Sequence, residues 1–268
     1  MHSPVTPSSL PQGSCTLVGA GPGDPELLTL KAVKAIANAT VLLVDDLVNI
    51  AVLEHAAPGA RIVHVGKRGG CKSTPQAFIE KLMVSETLAG EHVVRLKGGD
   101  PFIFGRGGEE IEALRAAGVE ARVINGITSG LAGLTSLNTP LTHRDHAHGV
   151  VFITGHAKPG DTGTDWHQLA QTAHNAKLTL VIYMGISGSE HIQQELLRGL
   201  PAGTPAVVIQ NASLPHQRHA VTTLGELRTT IKVHQLASPS IIVVGDVVRG
   251  VAALHSQGNG DLPHERTA

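Results

Sequence analysis

Four glycine-rich stretches hold the chemistry that can be read from this 268-residue chain. GAGPGDP (19–25), LKGGDP (96–101), NGITSG (125–130) and YMG (183–185) each stand at the end of a run that reads as a strand. Glycine at such places lets backbone N–H and C=O groups approach a ligand closely. In parallel α/β sheets, ligands sit at the carboxyl ends of the strands. One such cluster is as readily an ordinary turn, but four at four strand ends point to a single shared site. The first turn resembles a dinucleotide site, yet the third glycine of GxGxxG falls on Asp24. Pro22 removes an N–H that would reach a phosphate. Asp24 puts negative charge where a pyrophosphate would bind. Asp45, at the end of the next strand, suits a ribose ligand but does not rescue the turn. A ligand without phosphates fits better.

Other reactive residue types are scattered. His143, His146 and His148 crowd one segment and invite a zinc reading. No cysteine accompanies them, and their spacing along a loop or strand does not bring all three together. Cys15 begins an apolar run and reads as a small core residue. Cys71 follows GKRGG, where basic neighbours can lower a thiol's pKa.

The elements that must position these groups alternate. CTLVGAG reads as a strand, and LLTLKAVKAIANA as a helix opened by Asp24 as N-cap and Pro25 at its first position. ATVLLVDD, IVHVG, HVVRLKGGD and ARVING read as strands. TPQAFIEKLMVSETLAG, started by Thr74-Pro75 and stopped by Gly90, and GRGGEEIEALRAAG read as helices. Such alternation implies α/β units around a largely parallel sheet. The pattern then becomes mixed. THRDHAHGVVFITGH, LTLVIYMG, PAVVIQNAS and SIIVVGDVV are strand-like, with two clear helices among them, ISGSEHIQQELLRG and TLGELRTTIK. We place the boundary between 120 and 121, giving an N-terminal α/β domain (14–120) and a more mixed C-terminal α/β domain (121–252). Residues 1–13 and 253–268 read as a disordered leader and tail.

Composition excludes several classes. Lys+Arg 21 against Asp+Glu 22 gives a net charge of −1, against the basic excess of a general nucleic-acid binder. Aromatic residues are only 2%, leaving few platforms for stacking bases. No apolar stretch approaches the ~18 to 20 residues of a spanning helix, and the N-terminus lacks a basic start followed by an apolar run, so no secretory signal is expected. Two cysteines make no disulfide framework, so a reducing cytoplasm is the default.

VGAGPGDPELLTLKA, VLLVDDLV, VGKRGG, LKGGDPFIFGRGGEE, GITSG and PLTHRD together resemble the uroporphyrinogen-III C-methyltransferases, within the tetrapyrrole methylase group of S-adenosylmethionine enzymes. The resemblance runs from about Ser14 to Gly250. GDPFIFGRGGEE and PLTHRD are its specific motifs, while VGAGPGDP alone marks only the wider group. It implies two α/β domains with the active site in the cleft between them, and a homodimer. It implies S-adenosylmethionine as methyl donor and methylation of uroporphyrinogen III at C2 and C7, giving precorrin-2 for sirohaem, cobalamin or haem d1.

Carried over position by position, the resemblance assigns Pro22, Gly98, Gly99, Asp100, Ile103, Thr128, Ser129, Met184 and Ala212 to the cofactor. Ala212 stands where the family often has glycine, adding a methyl and losing φ freedom. Asp45 and Lys67 match positions proposed as acid/base residues. Arg106, Glu109 and Arg144 match residues implicated in tetrapyrrole binding and proton removal, with Arg68, His143 and Met184 as further substrate contacts.

The chemistry needs such groups. Methyl transfer is an in-line displacement, so alignment supplies much of the catalysis, and a proton must then leave the macrocycle. Arginine hardly deprotonates, so Arg106 is better suited to holding a substrate carboxylate bidentately. Glu109, three residues on, would cap the helix or orient Arg106. Asp100 would cap the turn ahead of Pro101 or face a cationic part of the cofactor. Asp45 and Lys67 each follow a buried strand and form a structural ion pair as readily as a catalytic one. Rival readings are a later precorrin methylase, a ribosomal-RNA methylase of the same group, a nicotinamide oxidoreductase and a non-catalytic S-adenosylmethionine sensor. A sensor would not need Arg106 and Arg144.

Overall fold

The computed structural model describes residues 13–66, 74–156, 160 and 163–250. Lys67, Arg68 and Cys71 lie outside the described residues, as do the expected tail and all but the last residue of the expected leader. The chain divides into two compact units, Met1–Thr128 and Ser129–Ala268.

The first unit is a five-stranded sheet in the order β3-β2-β4-β1-β5, with every pairing parallel. Its strands are β1 (Ser14–Gly19), β2 (Val41–Val44), β3 (Arg61–His64), β4 (His92–Lys97) and β5 (Ala121–Ile124). Helices α1 (Leu30–Ala37), α2 (Gln76–Leu88) and α3 (Gly107–Ala116) complete it. A parallel sheet must be covered on both faces, so its strands read as near-continuous apolar runs; all four residues of β2 are buried. On one face Val18, Leu42, Val44, Val94 and Leu96 pack with Ala32 and Ile36 of α1. On the other, Cys15, Leu17, Leu43 and Val93 pack with Ile79 and Met83 of α2 and Leu114 of α3.

Two expectations change here. The shift in pattern at 120/121 puts the boundary before β5, but β5 pairs with β1 from Cys15 to Val18. β1 is buried and central, and its free backbone groups need a partner on the side away from β4. The division therefore falls after Thr128. Asp24 also does not open the long helix. It caps a single 3-10 turn, Pro25–Leu27, through the Glu26 N–H, and Thr29 caps α1 through the Ala32 N–H. Four residues separate the two caps, so Asp24 is spent on the first turn and the long helix has a cap of its own.

The second unit is a mixed sheet in the order β6-β7-β10-β8-β9. Its strands are β6 (Gly149–Thr154), β7 (Leu178–Tyr183), β8 (Pro205–Gln210), β9 (Arg218–Thr223) and β10 (Ser240–Val244). β6 and β7 are parallel and the other pairs antiparallel. The expected helices appear as α6 (Ser189–Leu196) and α7 (Leu227–Val233). Beyond the expectation are α4 (Ser129–Thr135), α5 (Trp166–Ala176) and β9. α4 escapes periodicity because its sequence, SGLAGLT, is half small residues. β9 is half-buried and polar, RHAVTT, and pairs as an edge strand.

Candidate active site

The carboxyl ends of β1, β4 and β5 meet backbone to backbone. A Cβ on Gly126 would lie 2.1 Å from the Gly99 carbonyl oxygen and 2.8 Å from the backbone of Gly19. Gly21 and Gly99, both at positive φ (+75° and +67°), exchange N–H···O bonds of 3.2 and 2.7 Å. The first turn and the loop at Gly98-Gly99-Asp100 are thus one folded piece, with Pro22 following Gly21 and Thr128, buried, beside Gly99. It is no phosphate site. The N–H of Glu26 is taken by Asp24, and only one 3-10 turn follows. A ligand without phosphates suits such a cradle, because backbone peptide groups can approach it without Cβ atoms in between.

Asp100 is an organiser of this piece. It is buried; its Oδ1 accepts the Phe102 N–H at 2.8 Å, and its Oδ2 accepts from Asn125 Nδ2 and the Gly126 N–H, both at 3.1 Å. The Asp100 carbonyl accepts the Ile103 N–H. The carboxylate thus bolts the β4 loop to the β5 loop.

Asp45 stands just past β2, half-buried. Its Oδ2 lies 3.6 Å from an Arg95 Nη, and its Oδ1 accepts the Asp46 N–H. Arg95 and Lys97 of β4 and Glu110 of α3 are buried charges that the sequence reading did not single out. Arg95 Nε bonds Glu110 Oε1 at 3.1 Å, and Lys97 Nζ meets Glu110 Oε2 at 3.0 Å. Burial, and then the Arg95 charge, hold the Lys97 ammonium below its usual range, with Glu110 and Asp45 opposing. Two basic residues at i and i+2 in an otherwise apolar strand were the available signal. Glu109 and Glu110 are indistinguishable in sequence, but a helix turns 100° per residue, and only Glu110 faces inward.

Arg106 sits at the start of α3 in a left-handed conformation, φ +59°. Its Nε and an Nη bond the two Glu109 carboxylate oxygens at 2.9 and 2.6 Å. This fork-to-fork pair, exposed on both sides, raises the guanidinium pKa further, mainly through the hydrogen bond to Glu109. Of the two roles for Glu109, the contact that would orient Arg106 is present.

The second unit carries the remaining residues. β7 ends at Tyr183, whose hydroxyl accepts the Gly130 N–H at 2.8 Å and so pins the start of α4, next to Ser129. Met184 follows at φ +54°, half-exposed. A left-handed non-glycine residue costs roughly 1–2 kcal/mol; the next residue, Gly185, packs closely on Gly155. Ala212 is buried and does not itself take a positive φ; Asn211 and Ser213 on either side do, at +54° and +68°. The methyl group therefore meets no conformational penalty at this position.

His143 and Arg144 lie in a tight loop closed by mutual His143–Ala147 backbone bonds of 2.9 Å. The His143 ring stacks on His146, and its Nδ1 accepts the Asp145 N–H. Arg144 is exposed on this loop. Among the described residues no three His, Cys, Asp or Glu side chains converge as a metal site.

Comparison with known proteins bears on this arrangement. Residues 14–228 match the family model of the tetrapyrrole (corrin/porphyrin) methylases. The uroporphyrinogen-III C-methyltransferase of Pseudomonas aeruginosa is 50% identical over 242 residues, covering 90% of this chain and 96% of that protein. Siroheme synthase 2 of Aeromonas hydrophila is 48% identical over 237 residues, 88% of this chain but 49% of that protein. Among solved structures, the uroporphyrin-III C-methyl transferase of Thermus thermophilus complexed with S-adenyl homocysteine superposes with a TM-score of 0.75 at 39% identity, covering 88% of this chain and 94% of that one.

Proposed function

The chain belongs to the tetrapyrrole (corrin/porphyrin) methylase family, and from that premise we infer that it transfers methyl groups from S-adenosylmethionine to uroporphyrinogen III. Two transfers, at C2 and C7, give precorrin-2. The observation that carries this reading is the phosphate-free glycine cradle at the ends of β1, β4 and β5, with the Arg106–Glu109 and Arg95–Asp45 pairs in the same unit. A dinucleotide enzyme would need the Glu26 N–H that Asp24 occupies.

S-adenosylmethionine supplies, when bound, an electrophilic methyl group on a sulfonium. We assign the backbone around Pro22, Gly98, Gly99 and Ile103, with Thr128, Ser129, Met184 and Ala212, to holding it. Asp100 serves that surface indirectly, by fixing the two loops to each other. Uroporphyrinogen III carries eight carboxylates, so converging cations supply much of its affinity. Arg106, Arg144 and Arg68 are assigned to them, with His143 and Met184 beside the macrocycle. Glu109 presents the Arg106 fork in a fixed plane. Its pairing also keeps the guanidinium protonated, so Arg106 is a carboxylate clamp and not a base. Attack by a ring carbon leaves the macrocycle with a proton to shed. Asp45, the half-exposed carboxylate at the end of β2, is assigned to take it, with Lys67 as its acid/base partner.

We further propose a cytoplasmic homodimer whose precorrin-2 feeds sirohaem, cobalamin or haem d1 formation. No described helix is long and apolar enough to cross a membrane, and the near-neutral charge gives no support for a nucleic-acid partner. Anaerobic incubation with uroporphyrinogen III and labelled S-adenosylmethionine, followed by product mass, tests the reaction. Two added methyl groups are expected. Cofactor binding without transfer to uroporphyrinogen III would reassign the chain to a later precorrin or to a sensor.

A further inference from the structure

Three fully buried charges lie beneath Asp45, and the roles assigned above do not use them. Arg95 is 2% exposed, Lys97 3% and Glu110 0%. Burying a charge is costly unless it is paired and hydrogen-bonded, and replacing such a set with apolar residues is often neutral or stabilising. A role beyond stability would account for its presence. The cluster holds two cations and one carboxylate, so it balances only when the Asp45 carboxylate is counted as the fourth charge.

The donors of Arg95 show how the four are joined. Nε bonds Glu110 at 3.1 Å. One Nη bonds the carbonyls of Leu43 and Leu96, at 3.4 and 3.1 Å. The other Nη faces Asp45 Oδ2 at 3.6 Å. The backbone N–H of Asp45 also donates to the Leu96 carbonyl, at 3.2 Å. One carbonyl oxygen thus anchors both the guanidinium and the main chain of Asp45. Glu110 holds the guanidinium at Nε, and its other oxygen lies 3.0 Å from Lys97 Nζ. Of the four groups, only Asp45 reaches solvent appreciably, at 35%.

We propose that Arg95 is a positioning residue that fixes the direction of the solvent-facing Asp45 carboxylate, with Glu110 and Lys97 holding the guanidinium in register. This rests on the assignment of Asp45 to proton removal. Arg95 touches no substrate; it acts through the one carboxylate of the cluster that a substrate can reach.

A double-mutant cycle on kcat, with thermal melting as a check on folding, tests the idea. Arg95→Lys keeps the charge and loses the fork. Because small misplacement of a reacting group costs up to about 100-fold, kcat is expected to fall roughly 10- to 100-fold, with both KM values unchanged within about twofold. In an Asp45→Asn background the same Arg95→Lys change should lower kcat by less than about twofold, since its only route to the chemistry is already gone. Independent, multiplying effects would overturn the proposal, as would full kcat in Arg95→Lys. Full kcat in Asp45→Asn would overturn it too, while wild-type turnover would leave the methyltransferase reading standing. Asp45→Glu covers the case in which Arg95→Lys does not fold. It leaves the buried triad intact and shifts the carboxylate by one methylene; a fall in kcat without a rise in KM supports positioning, and full activity overturns it.

Discussion

Individual side chains here divide into those that present charge and those that hold the presenters. Arg106 is held by Glu109 through two hydrogen bonds, and the role proposed for it is that of a clamp on a substrate carboxylate. Lysine cannot reproduce a planar fork. Arg106→Lys is therefore expected to weaken uroporphyrinogen III binding by roughly tenfold, about 1.4 kcal/mol, with S-adenosylmethionine affinity unchanged; calorimetric titration of each ligand checks both. Retained substrate affinity with lost turnover would instead restore the base role. Cys15 is the opposite case, a side chain removed from chemistry. Burial pushes its thiol up to about 12, and only the thiolate is nucleophilic. Cys15 should stay unmodified by iodoacetamide in the native protein and react once it unfolds, read by peptide mass mapping.

Between secondary-structure elements, backbone contacts at strand ends matter more than side chains. A methyl on Gly126 would collide with the Gly99 carbonyl and the Gly19 backbone, neither of which is a flexible chain end. Gly126→Ala should cost roughly 1–3 kcal/mol, as overpacking does, and lower S-adenosylmethionine affinity by opening the cradle; chemical denaturation and calorimetry report the two separately. Farther away, the edge strand β3 is tied to α2 by Arg61 and Glu86. The hydrogen bond from Arg61 holds the Glu86 carboxyl below the usual carboxylate range. A depressed carboxylate stabilises the fold above its unfolded pKa, and that stability is lost as pH falls through the folded value. Arg61 is half-exposed, so the pair contributes under about 1 kcal/mol. Glu86→Gln should lower the melting temperature slightly near neutral pH and leave it unchanged in acid, by circular dichroism.

For the chain as one folding and binding system, ligand linkage gives the broadest test. A ligand that binds only the native state stabilises it by about 2.7 kcal/mol at 100 times its Kd. S-adenosylmethionine should raise the melting temperature measurably, and NAD should not, because Asp24 occupies the N–H that a pyrophosphate would need.

Much of this was legible from the chain alone. The apolar runs of β1, β2 and β4 announced a parallel sheet, because strands buried on both faces must be apolar, and the glycines after them marked where its loops pack backbone to backbone. Asp24 and Pro22 ruled against phosphates by local chemistry, which needs no tertiary context. The motifs around Gly98–Glu109 and Arg144 pointed to the family. The fold alone decided the rest. Membership of β5 in the first sheet depends on hydrogen bonds to β1, about a hundred residues back along the chain. Whether Glu109 or Glu110 turns inward depends on how α3 lies on the sheet, and the answer makes one an exposed partner of Arg106 and the other the hub of a buried network. Arg95 looked like one more strand residue until the sheet placed Asp45 beside it. Contacts between residues distant in sequence arise from packing, and no local pattern encodes them.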